Sequence, residues 1–209
     1  MNPKDLKTAW RIPEQPERLF IVPGASEPER LAQEMPADAF LFLENLDWNR
    51  DLSPWPEKRA FKGGEDFAGG ADALLEALLQ VLDQANLPEM PVYLAGYSLA
   101  GLFALYACTR TDRFAGAASC SGSLWYPGFI EYLKRSELHG DQIYLSLGDQ
   151  ESRSKSPLLS KVGECTEEAH ELLSAGRKTA FEWNPGNHFQ QETERLLKGL
   201  RWLAAEAEG

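Results

Sequence analysis

The sequence predicts an α/β protein, a mostly parallel sheet with helices on both faces. Three observations carry that expectation. Apolar strand-like runs alternate with helix-patterned segments along the chain. Several runs close on turn residues, such as Pro23-Gly24 and Gly148-Asp149. The intervening helices are long enough to serve as crossovers between parallel strands.

In order, residues 1–18 read as a polar lead, and 19–22 as a strand of Leu, Phe, Ile and Val. Ser26-Glu27-Pro28-Glu29 reads as a helix start with Ser26 at the cap, leading into 30–35. Residues 39–43 form a second buried strand, followed by a long connection, 44–70, rich in Trp, Pro and Gly. Residues 71–85 carry Leu74, Leu75, Leu78, Leu79 and Leu82 on one helical face. Strand 92–95 runs into helix 99–108, and strand 114–119 through an aromatic turn into a helix ending near Lys134. Strand 143–147, a helix around 166–173, strand 179–183 and helix 190–205 complete the chain, the last with Leu196, Leu197, Leu200 and Leu203 facing inward. No repeat, low-complexity tract or linker divides the 209 residues, so one domain, 1–209, is expected.

Composition narrows the function. Hydrophobic residues make up 43% and aromatics 11%, as in globular proteins. The net charge of −11 opposes binding to nucleic acid or an anionic membrane surface, and no basic run exceeds a pair such as Lys58-Arg59. Cys108, Cys120 and Cys165 form no CxxC pair, so zinc and thioredoxin-like chemistry have no support, and reduced thiols are expected. The polar N-terminus lacks a signal core and no apolar run reaches membrane-spanning length, so a soluble cytoplasmic protein is expected. Nothing in the sequence speaks to oligomeric state.

The stretch VYLAGYSLAGLFALYA, 92–107, carries the chemistry. A strand meets Gly96-Tyr97-Ser98-Leu99-Ala100 and continues at once as a helix. Such a turn holds its serine strained and exposed, and demands small residues two before and two after it, where strand and helix backbones nearly touch. Gly96 and Ala100 meet that demand. The first helical N–H groups have no partner within the helix, so the Leu99 amide is placed to stabilise an oxyanion. A tight connection that merely contains a serine would look similar, and the partners decide.

A serine needs a base. Of the three histidines, His139 lies in a polar loop and His170 on a charged helical face. His188 follows the final strand in Asn184-Pro185-Gly186-Asn187-His188-Phe189, where a doubly wound sheet places its site. The acid that orients the base is expected between the two, after another strand, and Leu147-Gly148-Asp149-Gln150-Glu151 offers Glu151 and Asp149. The order Ser98, acid, His188, each after its own strand, points to nucleophilic catalysis.

These blocks, with Asp47-Trp48-Asn49-Arg50-Asp51-Leu52-Ser53-Pro54-Trp55 and Ser121-Gly122-Ser123-Leu124-Trp125, give nearly the whole chain a resemblance to the esterase branch of the α/β-hydrolase superfamily, related to enterochelin-esterase and esterase-D-like enzymes. The resemblance implies a compact α/β-hydrolase without a separate lid domain. Its G-x-x-D/E turn favours Glu151, with Asp149 as runner-up. Two departures stand out: Pro23-Gly24 replaces the usual His-Gly after the first oxyanion strand, and Ala100 replaces Gly. Proline has no N–H to give, so the second oxyanion donor is expected from Gly24, Ala25 or the 48–51 loop. The chain also lacks the first strands of longer relatives.

Two aromatic loops should border the serine, one with Trp48, Trp55 and Phe61, the other with Trp125, Tyr126 and Phe129. They either wall a pocket or cap the end of the sheet. Trp125, Trp48 and Tyr97 are the expected pocket residues, for a small-molecule ester with an apolar moiety. Ser121 and Ser123 either meet a ligand or end the strand, and Asp47, Arg50 and Asp51 either select substrate or brace their loop. Lys62-Gly63-Gly64 is not a phosphate loop. No metal or cofactor is implied. The expectation is a serine esterase working through an acyl-enzyme, its rate rising through the pH range where histidine loses its proton. Alternatives are an acyltransferase or thioesterase on the same residues, and a binding protein that kept the fold without catalysis.

Overall fold

The computed structural model describes residues 1, 3–60 and 63–206, so Phe61 and Lys62 lie outside the described residues. In chain order the elements are β1 (Lys7–Arg11), β2 (Leu19–Pro23), α1 (Pro28–Glu34), β3 (Ala39–Glu44), α2 (Trp48–Asp51), β4 (Pro56–Glu57) and β5 (Phe67–Ala68). There follow α3 (Ala71–Gln84), β6 (Val92–Tyr97), α4 (Leu99–Cys108), β7 (Gly116–Cys120), α5 (Phe129–Leu133), β8 (Gln142–Gly148), α6 (Val162–Leu173), β9 (Lys178–Asn184) and α7 (Glu192–Glu206).

Seven strands form one sheet in the order β1-β3-β2-β6-β7-β8-β9. Only the β1–β3 pair is antiparallel; every other neighbouring pair is parallel. Continuous apolarity in the strands follows from burial on both faces. Leu19 and Ile21 of β2 join one core with α3, α4 and α6, while Phe20 and Val22 join a second with α1 and α7. Helix α4 is buried at all ten positions, which accounts for its unbroken apolar sequence. Among the described residues no helix is long and apolar enough to cross a membrane.

The structure corrects several expectations. The polar lead contains a strand, β1, whose half-exposed residues pair from Lys7↔Glu44 to Arg11↔Phe40 at the sheet edge. An edge strand buries little, so its sequence shows no apolar run. The cap of α1 is Glu27 rather than Ser26, because Pro28 takes the first helical position, where its fixed φ and missing N–H fit. The long connection folds into α2 and the small β4–β5 hairpin. Strand β7 starts at Gly116, two residues later than read, with Phe114 buried ahead of it.

Because β2, β6, β7, β8 and β9 are parallel, their C-terminal ends lie along one edge. Gly24, Ser98, Ser121, Asp149 and Pro185 are the first residues beyond those ends. That edge is where an open α/β sheet presents a crevice.

Candidate active site

Strand β6 and helix α4 meet at Ser98, which takes φ 56°, ψ −122°, a conformation that few residues other than glycine adopt. The turn is tight enough that a Cβ on Gly96 would lie 2.3 Å from the carbonyl carbon and oxygen of Ala100. Surrounding hydrogen bonds hold Ser98 there: its N–H donates to the Cys120 carbonyl (3.2 Å), and its carbonyl accepts from Gly101 (3.1 Å), Leu102 (3.1 Å) and Ser123 (3.0 Å).

His188 bridges the serine and the acid. Its Nε2 lies 3.1 Å from Ser98 Oγ and its Nδ1 2.7 Å from Glu151 Oε2. With Nδ1 protonated toward the carboxylate, Nε2 is free to accept the serine hydroxyl proton. Ser123 Oγ lies 3.3 Å from Ser98 Oγ on another side. Glu151 Oε1 accepts from Ser121 Oγ, the Gly148 N–H and Arg195 Nη1, each at 2.8 Å. Burial alone would raise the Glu151 carboxyl, but hydrogen bonding and charge from His188, with the bonds from Ser121 and Gly148, hold it below the usual carboxylate range.

Asp149 has a different task. Its side chain accepts the Gly186 N–H at 2.9 Å, and its own N–H donates to the Asn184 carbonyl at 2.8 Å. It joins the turns after β8 and β9 and does not meet His188. The other histidines stay elsewhere: His170 Nε2 lies 3.4 Å from Thr179 Oγ1, and the His139 N–H donates to the Cys108 carbonyl.

Of the expected oxyanion donors, Gly24 is corrected. Its N–H donates to the Leu43 carbonyl at 2.9 Å, because the β2–β3 ladder runs one residue past Pro23. The amides of Leu99 and Ala25 have no protein acceptor among the described residues. Ile21↔Leu94 is the last pair of the β2–β6 ladder, and Ala25 follows the turn at Gly24, which takes φ 63°. In the 48–51 loop, the Asp51 and Arg50 amides are already bonded, to the Asp47 carbonyl (2.7 Å) and side chain (3.1 Å).

The aromatic expectations divide. Trp48 lies partly exposed with its indole over Gly24, where a Cβ would come within 2.7 Å of Cζ2. Trp125 is half-buried against Phe67 and Tyr126. Tyr126 and Phe129 are buried with Trp55 in a cluster that ties the two loops, Tyr126 OH donating to the Trp55 carbonyl at 2.6 Å. Those rings pack into the core cluster shared with α4. Tyr97 is corrected as a pocket residue: its buried phenol donates to the His188 carbonyl at 2.8 Å, so it props the histidine turn from below. Asp47, Arg50 and Asp51 form a local knot, with Arg50 Nε 2.7 Å from the buried Asp51 carboxylate. Among the described residues, no three His, Cys, Asp or Glu side chains cluster so as to hold a metal ion.

Sequence reasoning missed Arg195, and it read Ser121 only as a ligand contact or a strand end, not as a partner of Glu151. Ser121 occurs at a positive φ of 46° directly past β7, which aims its hydroxyl at Glu151. Arg195 is fully buried although it borders a leucine stripe of α7. One sequence signal could have found it: Gly199, one turn later, is where α7 presses on the sheet, a Cβ there lying 2.9 Å from Tyr144.

No protein-family model and no curated protein matches the chain. Solved structures do. Siderophore hydrolase EstA from Aspergillus nidulans superposes with a TM-score of 0.70 at 19% identity, covering 97% of this chain and 90% of that one. Acyl-protein thioesterase 2 from Zea mays gives 0.60 at 15%, covering 95% and 98%. An S-formylglutathione hydrolase from Agrobacterium tumefaciens gives 0.58 at 10%, covering 96% and 89%. At these identities the likeness establishes the fold: this chain has the α/β-hydrolase fold, with the mostly parallel sheet that its sequence predicts.

Proposed function

We propose that this chain is a serine hydrolase acting on carboxylic esters. The observation that carries the reading is His188, bonded at once to Ser98 Oγ at 3.1 Å and Glu151 Oε2 at 2.7 Å. Ser98 Oγ attacks the ester carbonyl while His188 Nε2 takes its proton. Glu151 holds the imidazole in the tautomer that accepts at Nε2 and stabilises the imidazolium that forms. The amides of Leu99 and Ala25 receive the developing oxyanion. His188 then protonates the departing alcohol, leaving an acyl group on Ser98. Water, deprotonated by His188, releases the acid by the same path.

The substrate's apolar part rests between Trp48 and Phe189, an exposed ring adjoining His188. Trp125 is a further wall residue. The solved neighbours, named as a siderophore hydrolase, an acyl-protein thioesterase and an S-formylglutathione hydrolase, support hydrolysis as the reaction class. Two of those names also favour a second reading, in which the same serine cleaves a thioester. A binding protein without catalysis would have no use for a serine, histidine and glutamate joined in series.

Hydrolysis of p-nitrophenyl acetate and butyrate, beside an acyl thioester, tests the reading. Turnover that falls by about 10³-fold or more in both Ser98→Ala and His188→Ala is expected. The ratio of ester to thioester turnover separates the two substrate classes. A wild-type protein inert toward all of them, or variants as active as wild type, would refute it.

A further inference from the structure

Arg195 stands in the first turn of α7 with its side chain 1% exposed, beneath the serine–histidine–glutamate array. Its Nη1 is shared among Glu151 Oε1 at 2.8 Å, Ser121 Oγ at 2.8 Å and Tyr97 OH at 3.1 Å. Its Nη2 donates to the carbonyls of Pro185 at 3.1 Å and Asn187 at 3.0 Å. One guanidinium thus joins the acid after β8, the serine after β7, the end of β6 and the turn that carries His188.

Stability alone is a poor reason for this arrangement. Desolvating a guanidinium is costly, and an apolar side chain of similar volume often serves a core as well or better. Arg195 Nε is also buried without a hydrogen-bond partner among the described residues, a further cost that the fold tolerates. What the charge does accomplish is local. Glu151, with its side chain 3% exposed, would be driven toward its neutral form by burial, and neutral Glu151 could not orient or stabilise a protonated His188.

We propose that Arg195 is a positioning residue: its guanidinium keeps buried Glu151 ionised and fixed to the turn that carries His188, and so sets how far into acid the site works. The proposal rests on the reading of Ser98, His188 and Glu151 given above. The titratable and charged groups around Glu151 are few. His188 faces it from the turn after β9 and Arg195 from α7, while Tyr97 of β6 reaches the same guanidinium and Cys120, at the end of β7, donates to the Arg195 carbonyl. Asp149 and Arg153 belong to its own turn, with Asp149 directed to Gly186. Burial pushes both the Tyr97 phenol and the Cys120 thiol up to about 12, so neither changes charge in the working range. Arg195 is therefore the permanent cation at the carboxylate.

Two variants test this, Arg195→Met, which removes charge and fork, and Arg195→Lys, which keeps the charge. For Arg195→Met, the acid limb of kcat/KM for p-nitrophenyl butyrate should move to higher pH by about one unit, because the coupled His188–Glu151 pair binds a proton more readily once the neighbouring cation is gone. Its kcat should fall about tenfold or more while KM changes little. Arg195→Lys should keep the wild-type limb with only part of the loss in kcat. A folded Arg195→Met with the wild-type limb and kcat would overturn the proposal, whatever happened to its Tm.

Carbon-13 labelled glutamate, with the Glu151 carboxyl assigned by its disappearance in Glu151→Gln, reads the same effect without turnover. The Glu151 midpoint should rise in Arg195→Met and hold in Arg195→Lys. A midpoint unmoved in Arg195→Met, or raised in Arg195→Lys, would overturn the proposal. If Arg195→Met does not fold, Arg195→Gln, which removes the charge but keeps hydrogen-bonding groups, takes its place in both measurements with the same expected and contrary results. If wild type turns over no ester, it is the reading of Ser98 that fails, and the carboxyl titration still decides for Arg195.

Discussion

Gly96→Ala should damage the fold and the site together, and the structure gives the size of the effect. An alanine Cβ at this position would sit 2.3 Å from both the carbonyl carbon and oxygen of Ala100, and 2.7 Å from the Gly101 nitrogen. All three are backbone atoms, so no side chain can swing aside. Reaching even 3.0 Å, the approach that real Cβ atoms essentially never breach, requires strand and helix to part by about 0.7 Å at the turn that holds Ser98. Forced separation in a packed core costs about 3 kcal/mol. For a chain of this length that lowers Tm by about 6–12 °C. The shift would also pull Ser98 Oγ from His188 Nε2, so ester turnover should fall by about 10²-fold, as misplaced reacting groups do. Thermal unfolding and p-nitrophenyl butyrate kinetics measure both. The double variant Gly96→Ala/Ala100→Gly should recover neither, because the clash is with the Ala100 carbonyl and not its methyl group. Rescue by that second substitution, or a Gly96→Ala protein with wild-type Tm and rate, would refute the reasoning.

Further expectations follow from the same geometry. Glu151→Gln should lose about 10³-fold or more in kcat while Asp149→Asn stays within about threefold, since only Glu151 meets His188; the reverse ranking would assign the acid to Asp149. Glu151 also links stability to pH. A carboxyl held below its ordinary 4.5 in the fold stabilises the protein above that value and loses this contribution as pH falls through the folded value. Thermal unfolding from roughly pH 6 to pH 3 should therefore show a shallower acid decline of Tm in Glu151→Gln than in wild type, and an equal slope would count against the carboxylate's depressed range. Phe189 is 92% exposed, so Phe189→Ala should change stability by less than about 0.5 kcal/mol. It should nevertheless raise KM for the butyrate more than for the acetate, and equal KM values for both esters would remove Phe189 from the substrate rim.

Sequence periodicity reveals the buried parts of this fold and misses the exposed and the tertiary ones. Helix 99–108 and the runs of β2, β3 and β6 are readable because each is apolar over its length, which follows from burial on two faces. Strand β1 is half-exposed and antiparallel at an edge, so its five residues carry no such signal. Within the site, Ser98 and His188 are readable because turn chemistry and chain order mark them. Residue pattern alone leaves Glu151 and Asp149 open, since both follow one strand; the resemblance to the G-x-x-D/E turn favours Glu151, and it is Glu151 that lies against His188 while Asp149 meets Gly186. Tyr97 reads as a pocket residue because it neighbours Ser98 in sequence, yet strand alternation turns it to the opposite face, under the histidine turn. The Gly24 amide is lost to the β2–β3 ladder, whose end no sequence pattern marks. Arg195 depends on contacts across more than forty residues of chain, which local pattern cannot express.

The central claim is that Ser98 is a nucleophile activated by His188. Intact-mass and peptide analysis after reaction with a fluorophosphonate tests it most directly, comparing wild type with Ser98→Ala and His188→Ala. One adduct per wild-type chain is expected, located on Ser98 and absent from both variants. A folded wild type that takes no adduct, or one that carries it on another residue, would contradict it.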